Sequence, residues 1–263
     1  MARINMARLA LVTGSTSGIG LGIARSLAEA GYQLILNGFG EPDVIDQVLA
    51  DVDALSSHSP IYIGTDLTRS EAIDVALTEI IESSGPISVL VNNAGMQFTA
   101  PVDEFPVDKW DQIIALNLSA AFHTTRLCLP GMKEQNFGRI INIASVHGLV
   151  ASVNKPAYVA AKHGLIGLTK ATALETAEMN ITCNAICPGW THTPLIQTQI
   201  EKRAADLNIS IEDGGGALLA EKQPSKQFVT TDQLGALTRF LCTDAASQIT
   251  GASLPVDGGW TAQ

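Results

Sequence analysis

The sequence predicts an α/β fold in which a doubly wound sheet of seven parallel strands carries helices on both faces. Short apolar runs recur along the 263 residues, and segments with helical periodicity separate them. The runs are rich in Val, Ile and Leu and do not alternate with polar residues, which is typical of parallel strands buried on both faces. The seven predicted strands are 8–13, 33–37, 60–65, 87–93, 138–145, 181–187 and 252–257.

The segments between these strands predict the covering helices. Apolar residues recur every three or four positions, for instance at Ile19, Ile23 and Leu27, and again at Ile73, Leu77, Ile80 and Ile81. Helices that link parallel strands make right-handed crossovers and cover the sheet from both sides. Neither an internal repeat nor a low-complexity linker divides the chain, so we expect one domain over residues 1–263.

One long segment, 190–228, breaks this rhythm. It contains helical pieces and a run of three glycines at 214–216. Insertions of this length are either functional or disordered. Because this one follows the sixth strand at the carboxyl edge of the sheet, it favours a helical lid over a ligand.

The bulk composition excludes several function classes. Hydrophobic residues make up 46% of the chain, and the mean hydropathy is +0.21, which is enough apolar material for a large core. No stretch approaches the ~20 apolar residues that cross a bilayer and no cleavable leader is evident, so a cytoplasmic protein is expected. The net charge of −10 argues against nucleic acid and membrane partners, and it means that an anionic ligand needs local cations.

The four cysteines, Cys128, Cys183, Cys187 and Cys242, lack the paired spacing of metal ligands. They are interpreted as reduced, buried, small hydrophobic residues, with a reactive thiol as the alternative. No metal site is predicted.

A glycine-rich turn, TGSTSGIG at 13–20, follows the first strand and opens the first helix. Gly14, Gly18 and Gly20 permit a tight turn and a close approach of the backbone to a pyrophosphate. The amino terminus of the helix supplies N–H donors and a positive dipole. Three glycines alone are weak support, but the strand–turn–helix context is the one that a dinucleotide requires. The turn therefore predicts a dinucleotide site.

Further motifs follow in a fixed order. They are NNAG at 92–95 after the fourth strand, Asn117 on the next helix, Ser145 after the fifth strand, Tyr158 and Lys162 four residues apart, and PGW at 188–190 after the sixth strand. Together with the glycine turn, they resemble the short-chain dehydrogenase/reductase family over essentially the whole chain. The resemblance implies a Rossmann-type fold, a nicotinamide cofactor, interconversion of alcohol and ketone, and a homotetramer.

The resemblance also implies which residues hold the cofactor. These are Gly14, Thr16, Ser17, Gly18, Ile19, Phe39, Asp66, Leu67, Asn93, Ala94, Gly95, Leu116, Tyr158, Lys162, Pro188, Gly189 and Thr193. For Asp66 an alternative is a cap on a helix that begins near residue 70.

The choice between NAD and NADP depends on the end of the second strand. NAD sites commonly place an acid there for the ribose hydroxyl, but this chain has Asn37, Gly38 and Phe39. NADP needs cations for a phosphate of about −1.5 to −2 charge. Neither the glycine turn nor residues 37–40 supply one, and Glu41 stands nearby. The missing counter-charge outweighs the missing acid, so NAD is favoured.

Tyr158 and Lys162 are four residues apart, so they share one face of a helix. A free tyrosine has a pKa near ~10, but a neighbouring ammonium and an oxidised nicotinamide both favour the phenolate. We therefore interpret Tyr158 as the general acid and base, and Ser145 as the group that steadies the substrate oxygen. By resemblance, Asn117 holds a helix kink and a water that relays protons to Lys162. The alternatives are a solvated lysine beside a half-buried tyrosine, and an Asn117 that only breaks the helix.

Two further groups, His147 and Lys155, flank this pair and suggest an anionic substrate, whereas His163 is interpreted as structural because it points elsewhere around the helix. Here the resemblance narrows to the bacterial D-3-hydroxybutyrate dehydrogenases, through Gln97, His147, Lys155, Trp190, Gln199 and Trp260. It implies oxidation of D-3-hydroxybutyrate to acetoacetate, with the carboxylate held by the two glutamines, His147 and Lys155. The tryptophans would shape a small pocket. Packing by the tryptophans and solvated Lys155 and Gln199 are the alternatives.

Two rival functions remain open at this point. A 3-oxoacyl-carrier-protein reductase has the same scaffold, but it should show cations for NADPH near Gly14 and a basic patch for its acidic carrier. A non-enzymatic dinucleotide sensor is expected to have lost part of the catalytic set, and here the serine, tyrosine and lysine are all present.

Overall fold

Seven parallel strands form one sheet in the order β3-β2-β1-β4-β5-β6-β7 in the computed structural model, which describes residues 8–262. The strands are β1 Leu9–Val12, β2 Gln33–Asn37, β3 Ile61–Ile63, β4 Ile87–Asn92, β5 Gly138–Ile143, β6 Ile181–Pro188 and β7 Ser253–Val256. All seven predicted strands are confirmed. The strand order reverses between β1 and β4, which opens a crevice at the carboxyl edge where ligands bind in such sheets.

Nine helices lie within the described residues. They are α1 Gly18–Glu29, α2 Pro42–Asp53, α3 Ser70–Ser84, α4 Val107–Ile114, α5 Ala120–Glu134, α6 Pro156–Glu175, α7 Pro194–Leu207, α8 Ile211–Ala220 and α9 Thr231–Leu241. None of the helices within residues 8–262 combines the length and the apolar composition needed to cross a bilayer.

The core has two layers, one on each face of the sheet. Successive side chains of β1 point to opposite faces: Val12 packs with Ile23 and Leu27 of α1, whereas Leu11 packs with residues of α3 and α5. Both positions are apolar because both faces are covered. Burial of a Leu or Ile side chain stabilises a fold by about 1.5–3 kcal/mol, so this two-sided core holds the carboxyl edge in place.

The predicted insertion 190–228 contains α7 and α8. Thr193 caps α7 through its hydroxyl, which accepts from the N–H of Ile196 at 3.4 Å, and Asn208 ends that helix in the left-handed region. The glycine run lies inside α8, where a Cβ on Gly214 would stand 2.9 Å from the Ile200 carbonyl oxygen. Glycine therefore permits the close packing of α8 on α7, and the run is helical.

Two alternative interpretations of the sequence are settled here. Asp66 does not cap α3, since its carboxylate accepts from the N–H and the hydroxyl of Thr68, at 2.9 and 2.8 Å, before the helix begins at Ser70. The four cysteines are buried and unpaired. Burial raises the pKa of Cys128 and Cys242 to about 12, so the reactive-thiol alternative is wrong for these two. They are buried, small hydrophobic residues, as the sequence predicts.

Candidate active site

The glycine-rich turn crosses the carboxyl end of β1 and packs against the end of β4. Gly14 has φ +61°, and a Cβ there would stand 2.9 Å from the Ala94 backbone. The Asn93 side chain donates to the carbonyls of Thr13 and Gly14, at 2.9 and 3.0 Å. These bonds tie the turn to the end of β4, and the first residues of α1, Gly18 and Ile19, line the groove at the sheet edge. The turn therefore offers the backbone cradle that a pyrophosphate needs.

A groove of about 530 Å³ runs from this turn along the sheet edge. Most of the predicted cofactor residues line it, namely Gly14, Thr16, Ser17, Gly18, Ile19, Phe39, Asp66, Leu67, Asn93, Ala94, Gly95, Leu116 and Thr193. The remaining four, Tyr158, Lys162, Pro188 and Gly189, line the cavity next to it. The residues of the groove fit an extended dinucleotide, and its lining within residues 8–262 includes neither Lys nor Arg.

Asn37, at the end of β2, has a role that the sequence did not reveal. Its side-chain amide donates to the carbonyls of Ile63 and Thr65, at 3.1 and 3.0 Å, and its oxygen accepts from the Gly14 N–H at 3.3 Å. This side chain therefore ties the glycine turn to the end of β3. The neighbouring Phe39 is 66% exposed and forms an apolar wall of the groove.

A second cavity, of about 200 Å³, lies beyond the carboxyl ends of β4, β5 and β6. Nine of the predicted catalytic and substrate residues line it: Gln97, Ser145, His147, Lys155, Tyr158, Lys162, Trp190, Gln199 and Trp260. They come from the loops after three strands, from α6, from α7 and from the C-terminal turn. Asn117 is the exception, because it lies beneath the cavity. His163 also lies outside the lining, where its ring stands 2.9 Å from the Val159 carbonyl, in keeping with a structural role.

Tyr158 and Lys162 project from the same face of α6 into this cavity. Lys162 is only 4% exposed, and its ammonium donates to the Ile143 carbonyl at 2.6 Å and lies 5.6 Å from the centre of the Tyr158 ring. A solvated lysine is therefore excluded. Burial lowers the pKa of Lys162 to about 8. Burial also raises the pKa of Tyr158 above 10.0, while the Ser145 hydroxyl opposes that rise.

We expect different pH trends for the two directions of an alcohol–ketone reaction in this cavity. Because its pKa is raised, Tyr158 is a protonated phenol at neutral pH, ready to donate to a ketone. Oxidation needs the phenolate, so kcat/KM for the alcohol should rise as pH rises from about 6 to about 9, while kcat/KM for the ketone should stay nearly level because the phenol remains protonated over this range. Initial rates in both directions over this range check it. Parallel trends would contradict the role of Tyr158.

Asn117 lies in a π-helical turn, Ala115–Ser119, between α4 and α5. Its side chain accepts from the Met96 N–H and donates to the Met96 carbonyl, both at 2.9 Å. A small space of about 10 Å³, lined by Asn117, Lys162 and Thr124 among others, lies beside it. Asn117 thus braces the loop that carries Gln97. The helix continues through the π turn into α5, so a role as a mere helix breaker is wrong.

His147 forms the polar end of the cavity. Its N–H donates to the Ser145 hydroxyl at 3.2 Å, and its ring Nδ1 lies 3.4 Å from the same oxygen. Its ring Nε2 is buried and has no hydrogen-bond partner among the described residues. Burial, and then the charges of Lys155, His163 and Lys222, lower the pKa of His147 to about 4. The imidazole is therefore neutral at pH 7, with one nitrogen free for a ligand.

Aromatic rings and Lys155 complete the wall around His147. The Trp260 ring lies 5.5 Å from the His147 ring and 5.8 Å from the Trp190 ring. Lys155 caps the start of α6, and its ammonium lies 5.5 Å from the centre of the Trp190 ring. Burial lowers the pKa of Lys155, so a plain surface lysine is excluded. The Trp190 indole N–H is also buried, with no partner within residues 8–262.

Two residues behind these rings, Gln223 and Asp257, were not predicted from the sequence. The Gln223 side chain accepts from the backbone N–H of Trp190 at 2.9 Å, and the Asp257 carboxylate accepts from the backbone N–H groups of Gly259 and Thr261, at 3.0 and 2.8 Å. The DGG pattern at 257–259 is a turn signal that could have indicated Asp257. Nothing in the sequence marks Gln223, because its contact depends on the path of the segment after α8.

Comparisons with known proteins agree with this geometry. The family model described as short chain dehydrogenase matches residues 8–204. A D-beta-hydroxybutyrate dehydrogenase of Cupriavidus necator is 54% identical over 256 residues, covering 97% of this chain and 98% of that protein. Another, of Rhizobium meliloti, is 50% identical over 258 residues, covering 98% and 100%. A 3-oxoacyl-[acyl-carrier-protein] reductase of Staphylococcus epidermidis is 32% identical over 97% of this chain and 99% of its own.

Solved structures show the same fold. An L-sorbose reductase from Gluconobacter frateurii, complexed with NADPH and L-sorbose, has a TM-score of 0.92 at 28% identity, covering 98% of this chain and 97% of that one. An actinorhodin polyketide ketoreductase with NADPH has a TM-score of 0.89 at 33% identity, covering 97% of each chain. The protein is therefore an enzyme, and the alternative of a non-enzymatic sensor is wrong. The chain belongs to the short-chain dehydrogenase/reductase family of oxidoreductases, with a Rossmann-type fold.

Proposed function

We propose that the enzyme catalyses the reversible, NAD-dependent oxidation of D-3-hydroxybutyrate to acetoacetate. One observation carries the choice of substrate. The free Nε2 of neutral His147 and the ammonium of Lys155 line the same cavity as the hydroxyls of Ser145 and Tyr158. A small acid with a hydroxyl group near its carboxylate matches this arrangement: its carboxylate fits His147 and Lys155, and its hydroxyl fits Ser145 and Tyr158. The relatives named D-beta-hydroxybutyrate dehydrogenase support the same reading.

In this proposal the chain's own groups move the proton. A bound nicotinamide dinucleotide supplies the hydride acceptor, or the donor in reverse, and the groove residues listed above would hold it. Tyr158 takes the proton of the substrate hydroxyl during oxidation and returns it during reduction. Ser145 donates to the substrate oxygen, where negative charge develops. Lys162 supports the phenolate through its charge, and the small space beside Asn117 has room for about one relay water.

The carboxylate would lie at the opposite end of the cavity. Because His147 is neutral, its buried Nε2 can carry the ring proton and donate to the carboxylate, which leaves the Ser145 proton for the substrate oxygen. Lys155 adds a charge-assisted bond, and a carboxylate beside it would favour its ammonium against the effect of burial. The amides of Gln97 and Gln199 reach the same space. The Lys155 ammonium thus attracts an anion that the net charge of −10 repels.

NAD is the proposed cofactor, although the solved relatives named above were determined with NADPH. The groove offers no Lys or Arg in its lining within residues 8–262, and Asp66 is the charged residue among the lining. A ribose phosphate would bring about −1.5 to −2 charge into this place without a partner. Neutral ribose hydroxyls fit this environment better.

Initial-rate measurements with D- and L-3-hydroxybutyrate, followed at the NADH absorbance band, test the proposal. The D acid with NAD should give efficient turnover. NADP should be at least about tenfold poorer, because about 1.4 kcal/mol suffices for a tenfold change. The methyl ester of the D acid, which lacks the charge, should lose at least about tenfold in kcat/KM. Equal use of the ester and the acid would contradict a carboxylate receptor.

We also propose that α7 and α8 form the lid, because Ile196 and Gln199 of α7 line the cavity while Thr193 lines both cavity and groove. Limited proteolysis should show cleavage within 190–228 that slows when NAD and an unreactive substrate analogue are both present. NAD alone should protect less, because Gln199 then has no carboxylate to bind. Cleavage at the same rate in all three samples would contradict lid closure.

The homotetramer implied by the family resemblance stays a proposal. An apolar groove of about 390 Å³ between α5 and α6, with Phe122 half-exposed at its edge, suits contact with a second copy of the chain. Sedimentation equilibrium gives the mass directly, and a monomer at assay concentration would contradict it.

A further inference from the structure

The C-terminal turn is built around the carboxylate of Asp257, directly after β7. Asp257 is only 7% exposed. One of its oxygens accepts from the Gly259 N–H at 3.0 Å, and the other accepts from the N–H and the hydroxyl of Thr261, at 2.8 and 2.6 Å. Gly258 and Gly259 have φ of +58° and +90°, so the chain can reverse around the carboxylate. The Trp260 backbone is therefore enclosed by these bonds.

The enclosed backbone presents the Trp260 ring to the substrate cavity. That ring meets His147 at an interplanar angle of 78°, and His147 meets the Tyr158 ring on another side at 6.0 Å and 76°. The imidazole thus stands between two aromatic rings. The Trp260 ring packs against the His147 imidazole, so the position of Trp260 determines the direction in which the imidazole Nε2 points into the cavity. Displacement of Trp260 would have two effects: the His147 imidazole could rotate, and the cavity would become wider.

A second buried side chain, Gln223 in the segment after α8, supports the neighbouring Trp190. The Gln223 amide oxygen accepts from the backbone N–H of Trp190, and its nitrogen donates to the Gln227 carbonyl. The segment after Gln223 contacts the C-terminal turn directly, since the Ser225 N–H donates to the Gly258 carbonyl at 2.9 Å. A Cβ on Gly258 would stand 2.1 Å from the Ser225 hydroxyl. The segment that holds Trp190 and the turn that holds Trp260 are therefore in direct contact.

The catalytic pair is anchored elsewhere. Lys162 bonds to the Ile143 carbonyl on β5, and both Lys162 and Tyr158 are fixed by α6. None of the hydrogen bonds of the C-terminal turn within the described residues involves either side chain. A change in the turn should thus alter how the substrate is held and how long it can be, and leave the proton transfer in place.

We propose that Asp257, acting through Thr261, is a positioning residue that fixes Trp260 and thereby sets both the carboxylate grip of His147 and the chain length that the cavity accepts. This inference rests on the proposed function, because it assumes a hydroxy acid in the cavity. Asp257 itself lines neither the substrate cavity nor the dinucleotide groove.

Thr261→Val and Thr261→Ser form the matched pair for the test. Valine keeps the size and the backbone N–H but removes the hydroxyl bond to Asp257, and serine keeps that bond. For Thr261→Val, KM for D-3-hydroxybutyrate should rise about three- to tenfold while kcat stays within about twofold, as expected for the loss of one hydrogen bond that acts on binding. The ratio of kcat/KM for 3-hydroxypentanoate to that for 3-hydroxybutyrate should also rise. Thr261→Ser should restore both values.

Asp257→Ala should shift KM and the chain-length ratio further in the same direction, with the NAD dissociation constant unchanged. If this variant does not fold, the threonine pair alone decides. A Thr261→Val enzyme with a lower melting temperature but unchanged KM and chain-length ratio would overturn the positioning role and leave the proposed function standing. A wild-type enzyme that is inert with 3-hydroxybutyrate would instead overturn the proposed function.

Discussion

Tyr158→Phe should abolish turnover while cofactor binding stays near normal. The substitution removes one hydroxyl and keeps the ring that packs against His147 at 6.0 Å, so the cavity keeps its shape. Among the described residues that line the cavity, Tyr158 is the only phenol, and the buried Lys162 ammonium lies beside its ring. No other described lining residue can therefore take over its proton transfer. Loss of a general acid and base costs typically about 10²–10⁴ in rate, and we expect a loss in kcat at the upper end of that range.

The measurement pairs kcat with the NAD dissociation constant from a fluorescence titration. Tyr32→Phe is the control, since Tyr32 is a partly buried tyrosine that packs against the core and lies outside both groove and cavity. It should keep wild-type kcat. A Tyr158→Phe enzyme with kcat within tenfold of wild type would remove Tyr158 from the mechanism.

Lys155→Ala should mainly weaken substrate use, with NAD affinity unchanged. A hydrogen bond to a charged group contributes about 1.5–3 kcal/mol, so kcat/KM for 3-hydroxybutyrate should fall about 10- to 150-fold. The loss should appear largely as a higher KM, because the carboxylate is bound in the ground state as well as in the transition state. Lys155 lines the substrate cavity and not the dinucleotide groove, so the cofactor should be unaffected.

Two further variants separate charge from packing. Lys155→Met keeps most of the stem beside the Trp190 ring and removes the ammonium, so it should behave like Lys155→Ala if charge matters. Lys170→Ala changes an exposed lysine of the same helix outside the cavity and should match wild type. If Lys155→Met uses 3-hydroxybutyrate as well as wild type, the carboxylate receptor is wrong.

The fold was predictable because its signals are local. An apolar run of four to eight residues reports a strand buried on both faces, and the spacing of Tyr158 and Lys162 places both on one side of α6 wherever the helix lies. Likewise, Pro156 marks the start of α6 and so places Lys155 at its cap. Parallel strands then bring their carboxyl ends to one edge, which gathers residues far apart in sequence.

The supports of the site were not predictable in the same way. Asn37, Gln223 and Asp257 act through bonds to backbone groups of other segments, and those partners are known only once the chain path is fixed. The alternative role of Asp66 as a helix cap was wrong for a local reason. An aspartate shortly before a helix can cap it or bond to a nearer group, and Thr68 offered both an N–H and a hydroxyl at closer range.

The most direct test offers one enzyme preparation two reactions, oxidation of D-3-hydroxybutyrate with NAD and reduction of an acetoacetyl thioester with NADPH. A buried ammonium and a neutral imidazole with an unpartnered ring nitrogen predict a free carboxylate, and a groove without lysine or arginine in its lining within residues 8–262 predicts NAD. We therefore expect efficient oxidation of the free acid with NAD and little or no reduction of the thioester. Rapid reduction of the thioester by NADPH, with 3-hydroxybutyrate inert, would contradict the proposed function.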